Sequence, residues 1–233
     1  MPRAEFYWRW HVTNLKSPPD RLYGRVRGKK LRPRQEWLLN SFLSQMAWPE
    51  SPFTVPSREI WLEVGFGGGE HAYELATKNP DIGYIAAEVF DNGICSLLSR
   101  IAPDGVETPV PLPNLRLYTD DARPLLRGLA DGTLAKLFLM FPDPWPKARH
   151  AKRRFVHPEL LLEVARVLRP GGEWRIASDD PTYQTWTDEV LAGQTCFTVN
   201  RTDEHPTGWP HTRYEAKAIK AGRTPIYWSL IKS

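Results

Sequence analysis

Ile60-Trp61-Leu62-Glu63-Val64-Gly65-Phe66-Gly67-Gly68-Gly69-Glu70 is the stretch on which the reading of this chain turns. A short apolar run stops at a cluster of glycines, and helix-forming residues then continue to about Lys78. Strand, tight turn and helix are the opening of a βαβ unit. Glycines permit the tight turn and let a ligand approach the backbone closely. The dinucleotide fingerprint GxGxxG would need glycine at position 70, where Glu70 stands, and no Gly-Lys-Ser/Thr follows to make a phosphate loop. Glu63, a negative charge just ahead of the turn, is a poor host for pyrophosphate and a good host for a cation. The plain alternative is a turn that merely joins strand to helix.

The alternation continues along the chain. Tyr84–Val89, Leu115–Thr119, Leu134–Phe141 and Glu173–Ser178 read as the second to fifth strands. Helices are expected over Asp91–Ile101, about Arg123–Ala130 and Pro181–Ala192. Another runs from His157-Pro158-Glu159 to the stop at Pro170-Gly171-Gly172. Cys196–Arg201 and Ile226–Ile231 are the last strands, and with no clear helix between them they predict an antiparallel edge. The fold is thus expected to be α/β, a mostly parallel seven-stranded sheet with helices on both faces. Upstream, Pro33–Trp48 carries Trp37, Leu38, Phe42, Leu43 and Met46 at helical spacing, and Pro49–Ser57 is a proline-rich connector. Residues 1–32 are basic, aromatic and poor in apolar periodicity, and read as a flexible arm ahead of one domain over 33–233.

Composition narrows the function classes. A chain of 233 residues, 25% charged and 41% hydrophobic, suits one globular domain with a short extension. No apolar run approaches the ~20 residues that span a bilayer. The first ten residues lack the apolar core of a signal peptide, so a cytoplasmic protein is expected. Cys95 and Cys196 form no CxxC and exclude a disulfide framework; the six histidines show no HExxH, and no metal is expected. The net charge of +4 is unevenly placed. Arg21, Arg25, Arg27, Lys29, Lys30, Arg32 and Arg34 crowd one stretch, and Lys147, Arg149, Lys152, Arg153 and Arg154 another. Together they favour a polyanionic partner; either alone reads equally well as a solvated loop.

The second cluster follows a distinctive strand end. Phe141-Pro142-Asp143-Pro144-Trp145-Pro146 closes the fourth strand, and Lys147–Arg154 follows at once. The prolines stop the strand and press the residue before each toward extended geometry. Ligands in open α/β sheets sit at strand carboxyl ends. A carboxylate, Asp143, an aromatic surface, Trp145, and phosphate-binding charge together point to chemistry on a nucleic-acid base. Trp145 reads equally as a core residue. Glu88, ending the second strand, can accept both hydroxyls of a ribose. Asp121, after the third strand, or its neighbouring amide, can meet an adenine amino group; a helix N-cap is the rival reading.

Glu63–Gly69 resembles motif I of the Rossmann-like class I methyltransferases, whose cofactor S-adenosylmethionine carries a sulfonium and an ammonium. Adding Phe141–Trp145, Lys147–Arg154, Ala177-Ser178-Asp179 and Thr212-Arg213-Tyr214-Glu215, the chain is similar over roughly residues 20 to 230 to the bacterial tRNA (guanine-N7-)-methyltransferases. The resemblance implies methyl transfer from S-adenosylmethionine to N7 of guanine 46 in the tRNA variable loop. It implies cofactor contacts at Glu63, Gly65, Gly67, Gly69, Glu88, Asp121 and Asp143, with Asp143 also the active-site residue. It places substrate contacts at Lys147, Asp179, Thr212, Arg213, Tyr214 and Glu215. An RNA-interacting stretch falls on Arg149, His150, Ala151, Lys152, Arg153 and Arg154. tRNA is the implied partner, with no obligatory protein subunit, for a monomer or homodimer. Gly68 and Asp180 depart from the residues common in the family, and Asp180 blurs which acid acts beside Asp179. Two other readings stand against this one. Amino-group methyltransferases of adenine or cytosine carry two prolines between acid and ring, whereas Asp143-Pro144-Trp145 has one. A non-catalytic RNA-binding module on the same fold would show a damaged glycine turn or a lost carboxylate, and here all are present.

Overall fold

The computed structural model describes residues 26–233. Arg21, Arg25 and most of the expected arm lie outside the described residues. The strands are β1 (Ile60–Val64), β2 (Gly83–Ala87), β3 (Leu115–Tyr118), β4 (Leu134–Met140), β5 (Leu168–Ser178), β6 (Phe197–Thr202) and β7 (Ile226–Lys232). They form one seven-stranded sheet in the order β3-β2-β1-β4-β5-β7-β6. The helices are α1 (Pro33–Trp37), α2 (Glu70–Lys78), α3 (Asp91–Ile101), α4 (Ala122–Gly128), α5 (Pro158–Val167), α6 (Pro181–Leu191) and α7 (Arg213–Lys220). Among the described residues no helix is long and apolar enough to cross a membrane. By contacts the chain divides into two compact units, one over residues 26–122 with Pro210–Thr212, the other over Arg123–Trp209 with Arg213–Ser233.

In the first unit β1 pairs with β2 and β2 with β3, all parallel. Every residue of β2 is buried, as an interior parallel strand requires. The helical spacing expected over Pro33–Trp48 holds, but the segment changes pitch. After α1 comes a wide turn over Leu38–Phe42 and a 3-10 turn over Leu43–Gln45. Leu38, Phe42 and Met46 are fully buried, while Trp37 stays 38% exposed, covered by the Arg34 guanidinium at 4.5 Å. The connector after it is tied down by Arg116 of β3. That buried guanidinium donates to the carbonyls of Ser51, Pro52, Leu112 and Leu115. The last residues of the expected arm are anchored as well: the Asp91 N–H donates to the Val26 carbonyl and the Asn92 side chain to that of Lys29.

In the second unit β4 and β5 are parallel, while β7 runs antiparallel to both β5 and β6. The antiparallel edge was legible in the sequence; α7, lying between the last two strands, was not. Helix α5 starts as expected, with Pro158 at its first position and His157 as cap. It ends earlier than the Pro170-Gly171-Gly172 signal implied, because Leu168 already pairs with Leu134. The register then jumps to Lys136 opposite Glu173, so Arg169–Gly172 is the extra length of a bulge. Gly171 there takes φ +73°.

Candidate active site

The glycine turn of the first unit is held from several sides. Gly65, Gly67 and Gly69 all adopt positive φ, at +74°, +59° and +74°. Glu88, just past β2, clamps the turn: one carboxylate oxygen accepts from the Gly67 N–H at 2.8 Å, the other from the N–H groups of Val89 and Phe90. Ser96 and Arg100 of α3 donate to the Gly68 carbonyl. Helix α3 can come this close because Gly93 has no Cβ; one would lie 2.4 Å from the Gly67 oxygen. Glu63 sits beneath the turn rather than on it. It is 1% exposed, accepts from the Tyr84 hydroxyl at 2.7 Å, and lies 3.1 Å from His71 Nδ1. Asp121 is half-buried and immediately precedes α4, with its N–H on the Asp120 carboxylate. Burial raises the Tyr118 pKa, and Asp120, Asp121 and Glu50 push it further, so this strand end carries concentrated negative charge.

In the second unit the chain leaves β4 through a strained turn. Phe141 and Trp145 have φ of +53° and +45°. Bulky residues rarely adopt this region; it costs about 1–3 kcal/mol each and persists only where the surroundings enforce it. The Phe141 N–H is fixed on the Ala177 carbonyl at 2.8 Å. Between the two aromatic residues Asp143 is exposed. The basic tract continues as a 3-10 turn over Ala148–Arg153, in which Lys147, Arg149 and Lys152 are exposed and His150, Ala151 and Arg153 half-buried. The Arg153 guanidinium covers the Trp145 ring at 4.8 Å, and His150 meets that ring edge-on at 5.8 Å. Desolvation lowers the His150 pKa, and Arg153, Arg149, Lys147 and Lys152 add to the effect. Arg154 departs from the expectation of an RNA-contacting residue: it is 4% exposed, and its guanidinium faces inward.

The remaining site residues differ in accessibility. Asp179, beyond β5, accepts from Arg223 Nε at 2.6 Å. Asp180 caps α6 by accepting from the Tyr183 N–H at 3.0 Å. Arg213 and Tyr214 are exposed at the start of α7, with the guanidinium 4.9 Å over the phenol ring. Thr212, in the first unit, is 8% exposed. Glu215 is 2% exposed and accepts from the Tyr227 hydroxyl, and His205 Nδ1 lies 2.6 Å away. Burial and the Glu215 carboxylate hold the Tyr227 hydroxyl well above its ordinary pKa. Tyr84, His71, His205, Tyr227, Arg123 and Arg223 were not singled out in the sequence. Each acts on a partner distant along the chain, and no local pattern marks such pairs.

A family described as "Putative methyltransferase" matches residues 57–227. The tRNA (guanine-N(7)-)-methyltransferase of Granulibacter bethesdensis is 58% identical over 221 residues, covering 94% of this chain and 97% of its own. The chain belongs to the tRNA (guanine-N(7)-)-methyltransferase family. The enzyme of that name from Paramagnetospirillum magneticum is 44% identical, over 92% of this chain and 94% of its own. Among solved structures, the 16S rRNA methyltransferase KamB has a TM-score of 0.57 at 17% identity, covering 81% of this chain and 94% of that one, a likeness of fold alone.

The cofactor of this tRNA (guanine-N(7)-)-methyltransferase family member is S-adenosylmethionine, and the glycine turn fits it. A Cβ on Gly65 would meet nothing within 4 Å, so the turn opens there onto space a ligand can take. At Gly69 a Cβ would lie 2.6 Å from Leu97, so that glycine serves packing instead. Gly65 N–H is fixed on the Ala87 carbonyl at 2.8 Å, which sets the direction of the opening.

Proposed function

We propose that the enzyme transfers a methyl group from S-adenosylmethionine to N7 of guanine 46 in the tRNA variable loop, giving 7-methylguanosine. The observation that carries this reading is Asp143, an exposed carboxylate between two strained aromatic residues at the mouth of a basic turn. The bound cofactor supplies an electrophilic methyl group. Guanine N7 has an in-plane lone pair and no proton, so the chain needs no general base. Its task is to align N7 with the methyl group, which is catalysis by orientation. Asp143 accepts from the guanine N1–H and the exocyclic amine. That selects guanine over adenine, which offers no donor at N1. The purine becomes cationic on accepting the methyl group, and the Asp143 carboxylate offsets that charge.

Glu88, whose carboxylate also clamps the turn, would hold the cofactor's ribose and Asp121 its adenine, while buried Glu63 would contribute its charge from beneath the turn. Lys147, Arg149 and Arg153 contact phosphates, which position RNA without reading its sequence. Trp145 stacks on a base. Asp180 is committed to its helix, so Asp179 is the acid that meets substrate. Arg213 and Tyr214 meet it directly, with Glu215 supporting them from inside. We place the enzyme in the cytoplasm, acting without an obligatory partner subunit.

The test is to incubate the protein with labelled S-adenosylmethionine and unmodified tRNA, then cleave at 7-methylguanosine. Label at the variable-loop guanine is expected. Label on another base, or on guanine without cleavage, would refute the reading.

A further inference from the structure

Arg154 ends the basic tract but shares none of its exposure. Its Nε donates to the Pro144 carbonyl at 3.1 Å and its Nη2 to the Trp145 carbonyl at 3.0 Å. The guanidinium lies 4.9 Å over the Trp186 ring, and Trp186 is itself fixed by its Nε1 donating to the Val156 carbonyl. The Arg154 N–H donates to the Ala151 carbonyl at 3.0 Å. Buried Arg123 supports the same corner by donating to the Arg153 carbonyl at 3.2 Å. Burial lowers the Arg154 pKa, against the pull of Tyr183, Asp180 and Glu189, yet a guanidinium stays protonated. A buried charge is costly, and this one is satisfied by two carbonyls that belong to the strained turn.

The consequence is a closed loop over residues 144–154, its two ends stapled by one side chain. A residue such as Trp145 returns to ordinary backbone geometry unless something enforces its positive φ. The Arg154 fork grips the carbonyl of that residue and of the one before it. Asp143 is the next residue back along the chain.

We infer that Arg154 is a positioning residue: it holds the turn that presents Asp143 and does not contact RNA. The inference rests on the proposed role of Asp143.

The test compares Arg154→Gln and Arg154→Lys with the unaltered enzyme. Three quantities are read: the single-turnover rate at saturating tRNA and cofactor, the tRNA Kd with its salt dependence, and thermal stabilisation by S-adenosylhomocysteine. Rates are normalised to sites competent to bind S-adenosylhomocysteine, which removes any effect of misfolded protein. Both variants should lose on the order of 10- to 100-fold in single-turnover rate, the scale of a small misplacement at a reacting centre. Their tRNA Kd and salt slope should match the unaltered enzyme. Lysine should not rescue, because it keeps the charge but lacks the two-pronged geometry. A weaker tRNA Kd with a salt slope reduced by about one and an intact rate would instead put Arg154 on a phosphate and overturn the inference. An unchanged rate in Arg154→Lys would overturn it too, whether or not Arg154→Gln folds. If the unaltered enzyme does not label guanine N7 of tRNA, the reading of Asp143 has failed; if it does and Arg154→Lys keeps its rate, only the positioning role has.

Discussion

Two glycines of one turn do different work. At Gly69 an added Cβ would strike Leu97 at 2.6 Å in a backbone already at φ +74°. Gly69→Ala should therefore destabilise the protein by about 3 kcal/mol, adding overpacking to left-handed strain. At Gly65 the backbone has the same φ, but the Cβ would enter open space. Gly65→Ala should cost only about 1 kcal/mol of stability. It should nevertheless lose the thermal stabilisation that S-adenosylhomocysteine gives the unaltered protein. Thermal denaturation with and without S-adenosylhomocysteine checks both. A Gly65→Ala variant that is stabilised as well as the unaltered chain would remove Gly65 from the cofactor site.

Among the elements, α5 carries a pH dependence in its cap. His157 is fully buried, and its Nδ1 accepts from the Glu159 N–H at 3.4 Å. Burial, helped by Arg123 and opposed by Glu159, lowers its pKa to about 4. The unfolded chain takes up the proton below pH ~6.5, the folded one only below about 4. The stabilisation is whole above pH ~6.5 and falls by about 3 kcal/mol as pH drops toward 4. His157→Asn keeps a capping side chain without the titration, so its stability should fall less over that range in denaturant unfolding. Parallel pH profiles for the two proteins would contradict this. The start of α5 was legible because its cap, proline and first-turn acid are local signals. Its end was not, because the pairing of Leu168 with Leu134 is made by a strand far away in sequence. Helix α7 escaped notice for a similar reason. Its buried residues are Glu215 and Ala218, while Ile219 is 61% exposed, so the usual apolar spacing is inverted. The burial of Glu215 depends on His205 and Tyr227, and that of Arg154 on Trp186 and the Pro144 and Trp145 carbonyls. In the sequence Arg154 reads as part of a basic cluster and Glu215 enters through the family resemblance, and only tertiary packing brings both inside.

Across the molecule, each unit follows the same plan within itself. In the first, β1 runs into the glycine turn, β2 into Glu88 and β3 into Asp121; in the second, β4 runs into Asp143 and β5 into Asp179. Strand carboxyl ends are where an open α/β sheet presents side chains, so the place of these residues on the fold was legible from the strand pattern. The acids have been given distinct tasks by their surroundings. Glu88 clamps backbone, Asp180 caps a helix, Asp179 is paired with Arg223, and Asp143 stands exposed on its strained turn. Because the Asp143 side chain supports no packing, its role can be tested without disturbing the fold. The decisive measurement is the single-turnover methyl-transfer rate of Asp143→Asn at saturating tRNA and cofactor, alongside its tRNA Kd. A fall on the order of 100-fold in rate with a far smaller change in Kd is expected, since the lost carboxylate acts mainly on charge that develops during transfer. A rate equal to that of the unaltered enzyme would contradict the assignment of Asp143 as the acid that carries the reaction.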